Sequence, residues 1–444
     1  MPKRLIDSGT IVLLVTIDSL RRDYVGCYDP LRSNTPYLDS ISTTGARFDS
    51  AFSQGGGTPD SFPSIMCSSL PPLTLRERRV QGRRKIAGFL KECGFLTGAF
   101  HSNPYLSASY GYNEGFDTFY DGGQAGHELP SDFRNFKYVF DQLLLNRGPI
   151  SDGNMISRMA MSWMKQNGGK RPMFVWLHYM DNHFPYLPPV GSVGGSNSIR
   201  NRMLWSIMLW KKIQNKNTVV SPQTLDMMKS GYSACIKKID ACLANLVPEV
   251  LRRSSRNLII VTSDHGEGFW EHGYFGHCGL YDEILRVPLI CAGSEVQKGS
   301  VRNDLVTLSD IFPTIADFAD READKCEGRN LFGSQTSAID QRTGFVCSNL
   351  DPPRNLRYVG LRNLNSKYIR SENLRDNARL SEELYDLNSD PTETHDILSE
   401  HPSIASQCLN EIHDIYSEQS SAGAYLTEHE ESEILARLAA LGYT

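Results

Sequence analysis

The feature that most constrains the fold is a set of four short strand-like runs, each followed within a few residues by polar side chains. The runs span residues 11–17, 48–52, 173–179 and 257–262. Those at 11–17, 173–179 and 257–262 are almost wholly apolar, which is typical of strands buried on both faces of a parallel sheet. Because helical segments separate the runs, the pattern predicts an α/β fold with a mostly parallel central sheet between helices.

The remaining elements divide the chain in two. Helices are predicted at residues 35–44, 86–92, 132–146, 154–166, 221–246 and 308–319, and further strands at 95–100 and 287–291. After about residue 340, short alternating strands at 357–361, 367–370 and 383–386 favour an antiparallel arrangement. We therefore predict a large α/β domain over residues 8–335 and a small α+β C-terminal subdomain over residues 340–444.

Composition argues against several classes of partner and compartment. The 46 Lys and Arg balance 51 Asp and Glu, so the net charge of -5 does not call for a polyanion. A basic run at residues 76–85 could bind nucleic acid, but a solvated loop and helix face explains it better. Ten cysteines without a CxxC pair, and no apolar run long enough to span a bilayer, predict a soluble cytoplasmic protein with reduced thiols and no membrane anchor.

The residues that follow the four runs are suited to binding a metal. Ligands of open α/β sheets bind beyond the carboxyl ends of the strands, so these residues should meet at one edge. They are Asp18, Thr58, Asp181, His183, Asp264 and His265. Carboxylate, hydroxyl and imidazole groups suit Mn²⁺, Ca²⁺, Mg²⁺ or Zn²⁺. Each residue alone has a simpler explanation, such as a helix cap or a polar loop, but their convergence predicts a divalent-metal site.

Eight stretches of the chain resemble the sulfatase family of the alkaline phosphatase superfamily. They are VLLVTIDSLRRD (12–23), TPYLDSISTTGARF (35–48), AFSQGGGTPDSFPS (51–64), DNHFPYLPP (181–189), TSDHGEGFWEHGYFGH (262–277), YDEILRVPLI (281–290), LSDIFPTI (308–315) and ELYDLNSDPTE (383–393). The resemblance implies an alkaline-phosphatase-like sandwich, a small C-terminal domain, and a metal-bound nucleophile at the start of a helix.

The nucleophile position departs from the family pattern. Sulfatases usually carry Cys or Ser in a C/S-x-P-S-R motif, and the Cys is converted to formylglycine. An ungapped frame counted from Phe48 places Thr58 at this position, whereas a gapped frame reads residues 61–64 as S-x-P-S and makes Ser61 the nucleophile. Neither frame contains the Arg, and neither Thr nor Ser can enter the Cys-dependent maturation, so no formylglycine is expected. Thr58 is also predicted to cap the following helix, where an oxyanion could bind.

The resemblance also implies roles for the other site residues. Asp18, Asp264 and His265 match metal ligands, together with Thr58. Ser19 stands where sulfatases usually have another acidic ligand. Because the set has few carboxylates and an imidazole, Mn²⁺ or Zn²⁺ is favoured, with Ca²⁺ or Mg²⁺ as alternatives.

Four histidines need separate interpretation. His277 and His183 match family positions that contact the substrate anion and the leaving oxygen. We take His277 as the general acid and His183 as an anion stabiliser or acid. His178 lies inside a predicted strand and is interpreted as a core or supporting residue, and His272 as a structural loop residue.

These roles imply a metal-dependent hydrolase of sulfuric or phosphoric esters that acts through a covalent intermediate on a small-molecule or glycan ester. A Thr or Ser ester must be cleaved by water at the central atom, which phosphorus tolerates better than sulfur. Phosphonate or phosphodiester hydrolysis, and transfer of a phosphorus-containing headgroup, are therefore alternatives on the same site. An alternative from another class is a non-catalytic relative that binds anions or glycans.

Overall fold

The structure, a computed structural model, describes residues 6–32, 34–122, 152–184, 186, 188–189, 220–277, 279–324, 326–333 and 342–417. The helix predicted at 132–146 lies outside these residues. The described strands are β1 (Thr10–Ile17), β2 (Ala46–Phe48), β3 (Ala51–Phe52), β4 (Leu96–Phe100), β5 (Thr118–Tyr120), β6 (Met173–Tyr179), β7 (Arg256–Ser263), β8 (Gly268–Phe269), β9 (Phe275–Gly276), β10 (Leu289–Gly293), β11 (Ser300–Arg302), β12 (Val306–Thr307), β13 (Gly344–Asp351), β14 (Leu356–Asn363), β15 (Ser366–Asn373) and β16 (Arg379–Asp386). The described helices are α1 (Pro36–Thr44), α2 (Thr58–Cys67), α3 (Ile86–Glu92), α4 (Gly153–Asn167), α5 (Pro222–Arg253), α6 (Asp282–Leu285), α7 (Ile311–Phe318) and α8 (Pro402–Ser417).

An eight-stranded sheet in the order β11-β2-β10-β7-β1-β6-β4-β5 forms the centre. Of its described strands, only β10 runs against the others. Ile17, the last residue of β1, pairs with Tyr179 of β6 and with Ser263 of β7. The carboxyl ends of these three strands are therefore level, and the predicted mostly parallel α/β fold is confirmed.

Alternate residues of β1 face two different hydrophobic cores, as expected for a strand buried on both sides. Val12 and Leu14 belong to the core beneath α2, α3 and α7. Ile11, Leu13 and Val15 belong to the core beneath α1, α4 and α5. The sheet is thus enclosed by helices on both faces.

A four-stranded antiparallel sheet, β13-β14-β15-β16, follows in the chain. β13 was not among the predicted strands, although it lies beside the loop that leads into α2. The Ser348 amide donates to the Gln54 carbonyl at 2.9 Å, and the Gly56 amide donates to the Ser348 carbonyl at 3.1 Å. This sheet therefore holds the chain just before Thr58.

Two predicted elements differ in detail. The strand expected at 48–52 is divided, because β2 lies in the central sheet while β3 pairs with β12. Polar residues Asp49 and Ser50 separate the two pieces. The helix expected to end at residue 246 continues to Arg253 past Pro248, because Val247 and Val250 remain buried in the core.

A buried ion pair fixes the first turn of α2. Arg78 donates to both carboxylate oxygens of Asp60 at 2.7 and 2.8 Å, and the Leu350 amide of β13 donates to the same carboxylate at 3.1 Å. Asp60 is fully buried. The pair therefore ties α2 to the C-terminal sheet.

We expect Arg78→Ala to lower the free energy of unfolding by about 3–5 kcal/mol, because it leaves the Asp60 carboxylate buried without its cation. The exposed Arg76 of the same segment offers a control: Arg76→Ala should change this free energy by no more than about 0.5 kcal/mol. Urea unfolding followed by tryptophan fluorescence measures both. Equal losses in the two variants would contradict the role given to Asp60.

Candidate functional site

Three buried side chains meet beyond the level ends of β1 and β7. Asp18 follows β1, and Asp264 and His265 follow β7. Each offers one ligand atom, and these atoms all lie within 4.8 Å of one another. All three side chains are 0% exposed. The convergence predicted from the strand ends is therefore present for these residues.

Thr58 completes this group from the start of α2. Its Oγ1 donates to Asp264 Oδ2 at 2.9 Å, and lies 3.4 Å from both Asp18 Oδ2 and His265 Nε2. The prediction that Thr58 caps the helix was wrong by one residue: Gly57 is the N-cap, and its carbonyl accepts from the amides of Asp60 and Ser61. Since the Thr58 side chain does not cap the helix, its hydroxyl is available to Asp18, Asp264 and His265. These three residues are called the acidic group below.

The glycines before Thr58 serve close packing. A Cβ on Gly56 would lie 2.6 Å from both Asn349 Nδ2 and the Gly279 carbonyl oxygen, and a Cβ on Gly55 would lie 2.2 Å from the Asp60 carbonyl carbon. The loop therefore requires glycine at these two positions because its neighbours leave no space for a side chain.

The orientation of His265 is suited to metal binding. Its Nδ1 lies 2.9 Å from the Gly266 carbonyl oxygen, which can only accept, so Nδ1 carries the proton. Nε2 then presents a lone pair, 3.5 Å from Asp264 Oδ2 and 3.8 Å from Asp18 Oδ1. Burial, with His277 nearby, lowers the pKa of His265 to about 3. A neutral imidazole fixed by a carbonyl in this way is the usual form of a histidine ligand.

The two carboxylates are in an unfavourable environment without a cation. Burial raises the pKa of Asp264 well above its usual range, and the nearby Asp18 raises it further. Burial would likewise raise the pKa of Asp18, but the neighbouring imidazoles of His183 and His178 outweigh it and lower this pKa. Two carboxylates and an imidazole lone pair that face one another fit a divalent metal ion.

Asp18 is held by three neighbours, of which Asn103 and Asn182 were not among the predicted site residues. Asn103, just after β4, donates from Nδ2 to Asp18 Oδ2 at 3.0 Å and lies 3.5 Å from Thr58 Oγ1. Asn182, just after β6, donates to the Asp18 carbonyl at 2.7 Å. His178 Nε2 lies 3.3 Å from Asp18 Oδ2, which agrees with its interpretation as a supporting residue. The rule that led to Asp18 would also have identified Asn103.

Ser19 orients the two carboxylates. Its hydroxyl donates to Asp18 Oδ1 at 2.7 Å, and its amide donates to Asp264 Oδ1 at 3.2 Å. The residue has a φ of +54°, a left-handed conformation that costs a non-glycine residue energy, and Tyr232 holds it there by donating to its carbonyl.

Two further histidines, His183 and His277, lie close to the acidic group. The ring centroid of His277 is 4.7 Å from that of His265 and 5.6 Å from that of His183. Burial lowers the pKa of His183. Burial would also lower the pKa of His277, but the Glu267 carboxylate outweighs it, so this pKa is raised.

Other candidate residues lie further from the acidic group. Ser61 donates to the Thr58 carbonyl at 3.2 Å, within its own helix. His272 stacks on Tyr281 at 3.6 Å and bonds to Glu283 at 2.7 Å, as expected for a structural residue.

At least three of the six cations in the basic run at 76–85 are paired with carboxylates within the fold. Beyond the pair that Arg78 makes with Asp60, Lys85 lies 2.7 Å from Glu114 and Arg84 lies 3.4 Å from Asp324. In the part of the chain that the structure describes, no helix is both long and apolar enough to cross a membrane.

Comparison with known proteins finds named sulfatases among the relatives of this chain. Bovine arylsulfatase K (Bos taurus) is 25% identical over 282 residues, covering 56% of this chain and 52% of the relative. The chain thus spans about half the length of that relative.

Two solved structures share the fold. The phosphonate monoester hydrolase of Agrobacterium radiobacter has a TM-score of 0.68 at 16% identity, covering 94% of this chain and 98% of that one. BT4656, solved with its substrate D-glucosamine-2-N,6-O-disulfate, also has a TM-score of 0.68 at 16% identity, covering 93% of this chain and 98% of that one. The profile of the Sulfatase family matches residues 10–321. The chain therefore belongs to the sulfatase family.

Proposed function

We propose that this chain is a metal-dependent hydrolase of sulfuric or phosphoric esters in which Thr58 is the nucleophile. The observation that carries the proposal is the position of Thr58 Oγ1, which lies within 3.4 Å of Asp18, Asp264 and His265 at once. A hydroxyl at a helix N-terminus also faces backbone amides and the positive end of the helix dipole, which favour a bound oxyanion.

Asp18, Asp264, His265 and Thr58 would hold the metal. A bound divalent ion would favour the ionised form of the Thr58 hydroxyl and offset negative charge on the transferred group. The imidazole ligand and the presence of Ser19 in place of a further carboxylate favour Mn²⁺ or Zn²⁺ over Ca²⁺ or Mg²⁺.

The reaction has two steps. Thr58 Oγ1, which has first released its proton to solvent, attacks the central sulfur or phosphorus as the alkoxide, and the bond to the alcohol oxygen breaks as His277 donates a proton to that oxygen. Water then attacks the same central atom and gives its proton to His277, and the bond to Thr58 breaks. His183 stabilises the anionic group during both steps. The products are the free alcohol and the inorganic acid or, from a phosphonate ester, the phosphonic acid.

Phosphorus esters are the second candidate substrates. A Thr ester has no route to product except attack by water at the central atom, which phosphorus permits more readily than sulfur. The likeness to a phosphonate monoester hydrolase is compatible with this chemistry. The structure solved with a disulfated glucosamine instead makes sulfated sugars reasonable first substrates. Transfer of a headgroup to an acceptor alcohol would follow the same first step.

The deciding experiment strips the purified chain of metal and reloads it with Mn²⁺, Zn²⁺, Ca²⁺ or Mg²⁺. Each form is assayed on an aryl sulfate, an aryl phosphate, an aryl phosphodiester and an aryl phosphonate. We expect turnover of at least one ester class, highest with Mn²⁺ or Zn²⁺ and lost on chelation. Absence of turnover on every ester with every metal would favour a non-catalytic anion-binding or glycan-binding protein.

A further inference from the structure

A fully buried carboxylate, that of Glu267, lies beside His277, and neither step of the proposed reaction uses it. Glu267 has a side chain that is 0% exposed, while that of His277 is 21% exposed. Its Oε2 accepts from the Tyr186 hydroxyl at 3.0 Å. Its Oε1, which has no hydrogen-bond partner among the described residues, lies 3.6 Å from His277 Nδ1. A buried carboxylate oxygen without a hydrogen-bond donor calls for an explanation, and a functional role is one.

The other edge of the His277 ring faces the loop that precedes Thr58. A Cβ on Gly57, the residue before Thr58, would lie 3.6 Å from His277 Cδ2. Cδ2 is bonded to Nε2, so the edge that bears Nε2 is turned towards the loop while Nδ1 is turned towards Glu267. Asn349 fixes the backbone by donating to the His277 carbonyl at 3.0 Å. The imidazole is therefore held with Nδ1 facing Glu267 and with the edge that bears Nε2 facing the loop before Thr58.

Glu267 itself is rigidly placed. Its carbonyl accepts from Arg21 at 3.0 Å, and its carboxylate is anchored through Oε2, which accepts from the Tyr186 hydroxyl. The contacts with Arg21 and Tyr186 thus hold Glu267 so that its Oε1 faces Nδ1 of His277. The 3.6 Å spacing is longer than a hydrogen bond, but such contacts commonly shorten when substrate binds.

We propose that Glu267 is a positioning residue for His277: its carboxylate holds the proton on Nδ1, so that Nε2 is the nitrogen that exchanges a proton with the leaving oxygen. When Nε2 gives up its proton, Nδ1 keeps the other, and the ring remains in the tautomer that can accept a proton from water in the second step. This inference rests on the proposed function, since it assigns Glu267 to the reaction of that site.

The kinetic test compares Glu267→Gln with wild type on aryl esters whose leaving phenols range from 4-nitrophenol to phenol. Because a poor leaving group needs protonation and 4-nitrophenolate does not, kcat/KM should fall at least about tenfold more on the phenyl ester than on the 4-nitrophenyl ester. His277→Gln should give the same steepening, and the double variant no further steepening.

Glu372→Gln is the matched control, since Glu372 is a buried glutamate paired with Arg357 and Arg370 in the C-terminal sheet. It should leave the dependence on the leaving group unchanged. Equal losses by Glu267→Gln across the series, or independent effects in the double variant, would overturn the proposal.

A second measurement needs neither turnover nor a stable Glu267 variant. In wild-type protein labelled with ¹⁵N-histidine, at mildly alkaline pH, the ring nitrogens of His277 are assigned by their loss in His277→Gln. We expect the proton on Nδ1, and a proton on Nε2 would refute the pairing. If the wild type hydrolyses no ester, the proposed function fails, while this tautomer still tests the contact between Glu267 and His277 on its own.

Discussion

Thr58→Ala is expected to lower kcat by at least about 10³-fold on whichever ester the wild type hydrolyses best. The variant removes the hydroxyl that lies 2.9 Å from Asp264 and 3.4 Å from Asp18, and alanine offers no group that could form the ester. Folding should be little affected, because Gly57 rather than Thr58 caps α2. Steady-state kinetics, with urea unfolding to verify the fold, measures both effects.

Ser61→Ala is the matched control, one turn further along the same helix. It removes a hydroxyl that bonds only to the Thr58 carbonyl among the described residues, so kcat should stay within about tenfold of wild type. Mass spectrometry of enzyme quenched during turnover should find the added sulfate or phosphate on the peptide that contains residue 58. Full activity in Thr58→Ala together with loss in Ser61→Ala would assign the nucleophile to Ser61 instead.

The strand-end residues could be predicted because their signal is local. β1 and β7 each contain a continuous apolar stretch, at residues 11–15 and 258–261, and each strand is followed at once by a carboxylate. Parallel neighbours end at the same edge of a sheet, so no knowledge of distant contacts was needed to place Asp18 beside Asp264. Thr58 was also among the residues that follow a strand-like run, and the family resemblance gave it the role of nucleophile. It reaches the group from the start of α2 after β3, a strand outside the central sheet.

The residues that the sequence analysis missed depend on contacts between distant parts of the chain. Asn103 bonds to Asp18 across 85 positions, and Arg78 of the basic run turns inward only because Asp60 is buried beside it. β13 was overlooked although its Ser348 makes two backbone hydrogen bonds with the loop before α2. Glu267 lies in a stretch that the resemblance covers, but its meaning depends on the direction of one oxygen, which a sequence pattern does not encode.

Asp264→Asn is expected to remove most of the metal-dependent stabilisation and yet to stabilise the metal-free protein. In the wild type, the ligand oxygens of Asp18 and Asp264 are fully buried and lie within 4.8 Å of each other, so without a cation their charges disfavour the folded state. Removing one charge should therefore raise the melting temperature of the stripped protein by a few °C, as expected where function requires an unfavourable arrangement.

Metal added at a hundredfold excess over its dissociation constant should stabilise the wild type by about 2.7 kcal/mol, and Asp264→Asn by far less, because the variant loses a carboxylate ligand. Asp240→Asn is the control: Asp240 is also buried, but its carboxylate accepts from the amides of Tyr37 and Leu38 at the start of α1. That variant should be destabilised by about 1 kcal/mol and should retain the full metal response. Thermal unfolding with and without Mn²⁺ separates the two patterns. If Asp264→Asn retained the full metal-dependent rise in melting temperature, Asp264 would not be a metal ligand, because removing its charge would not have weakened metal binding.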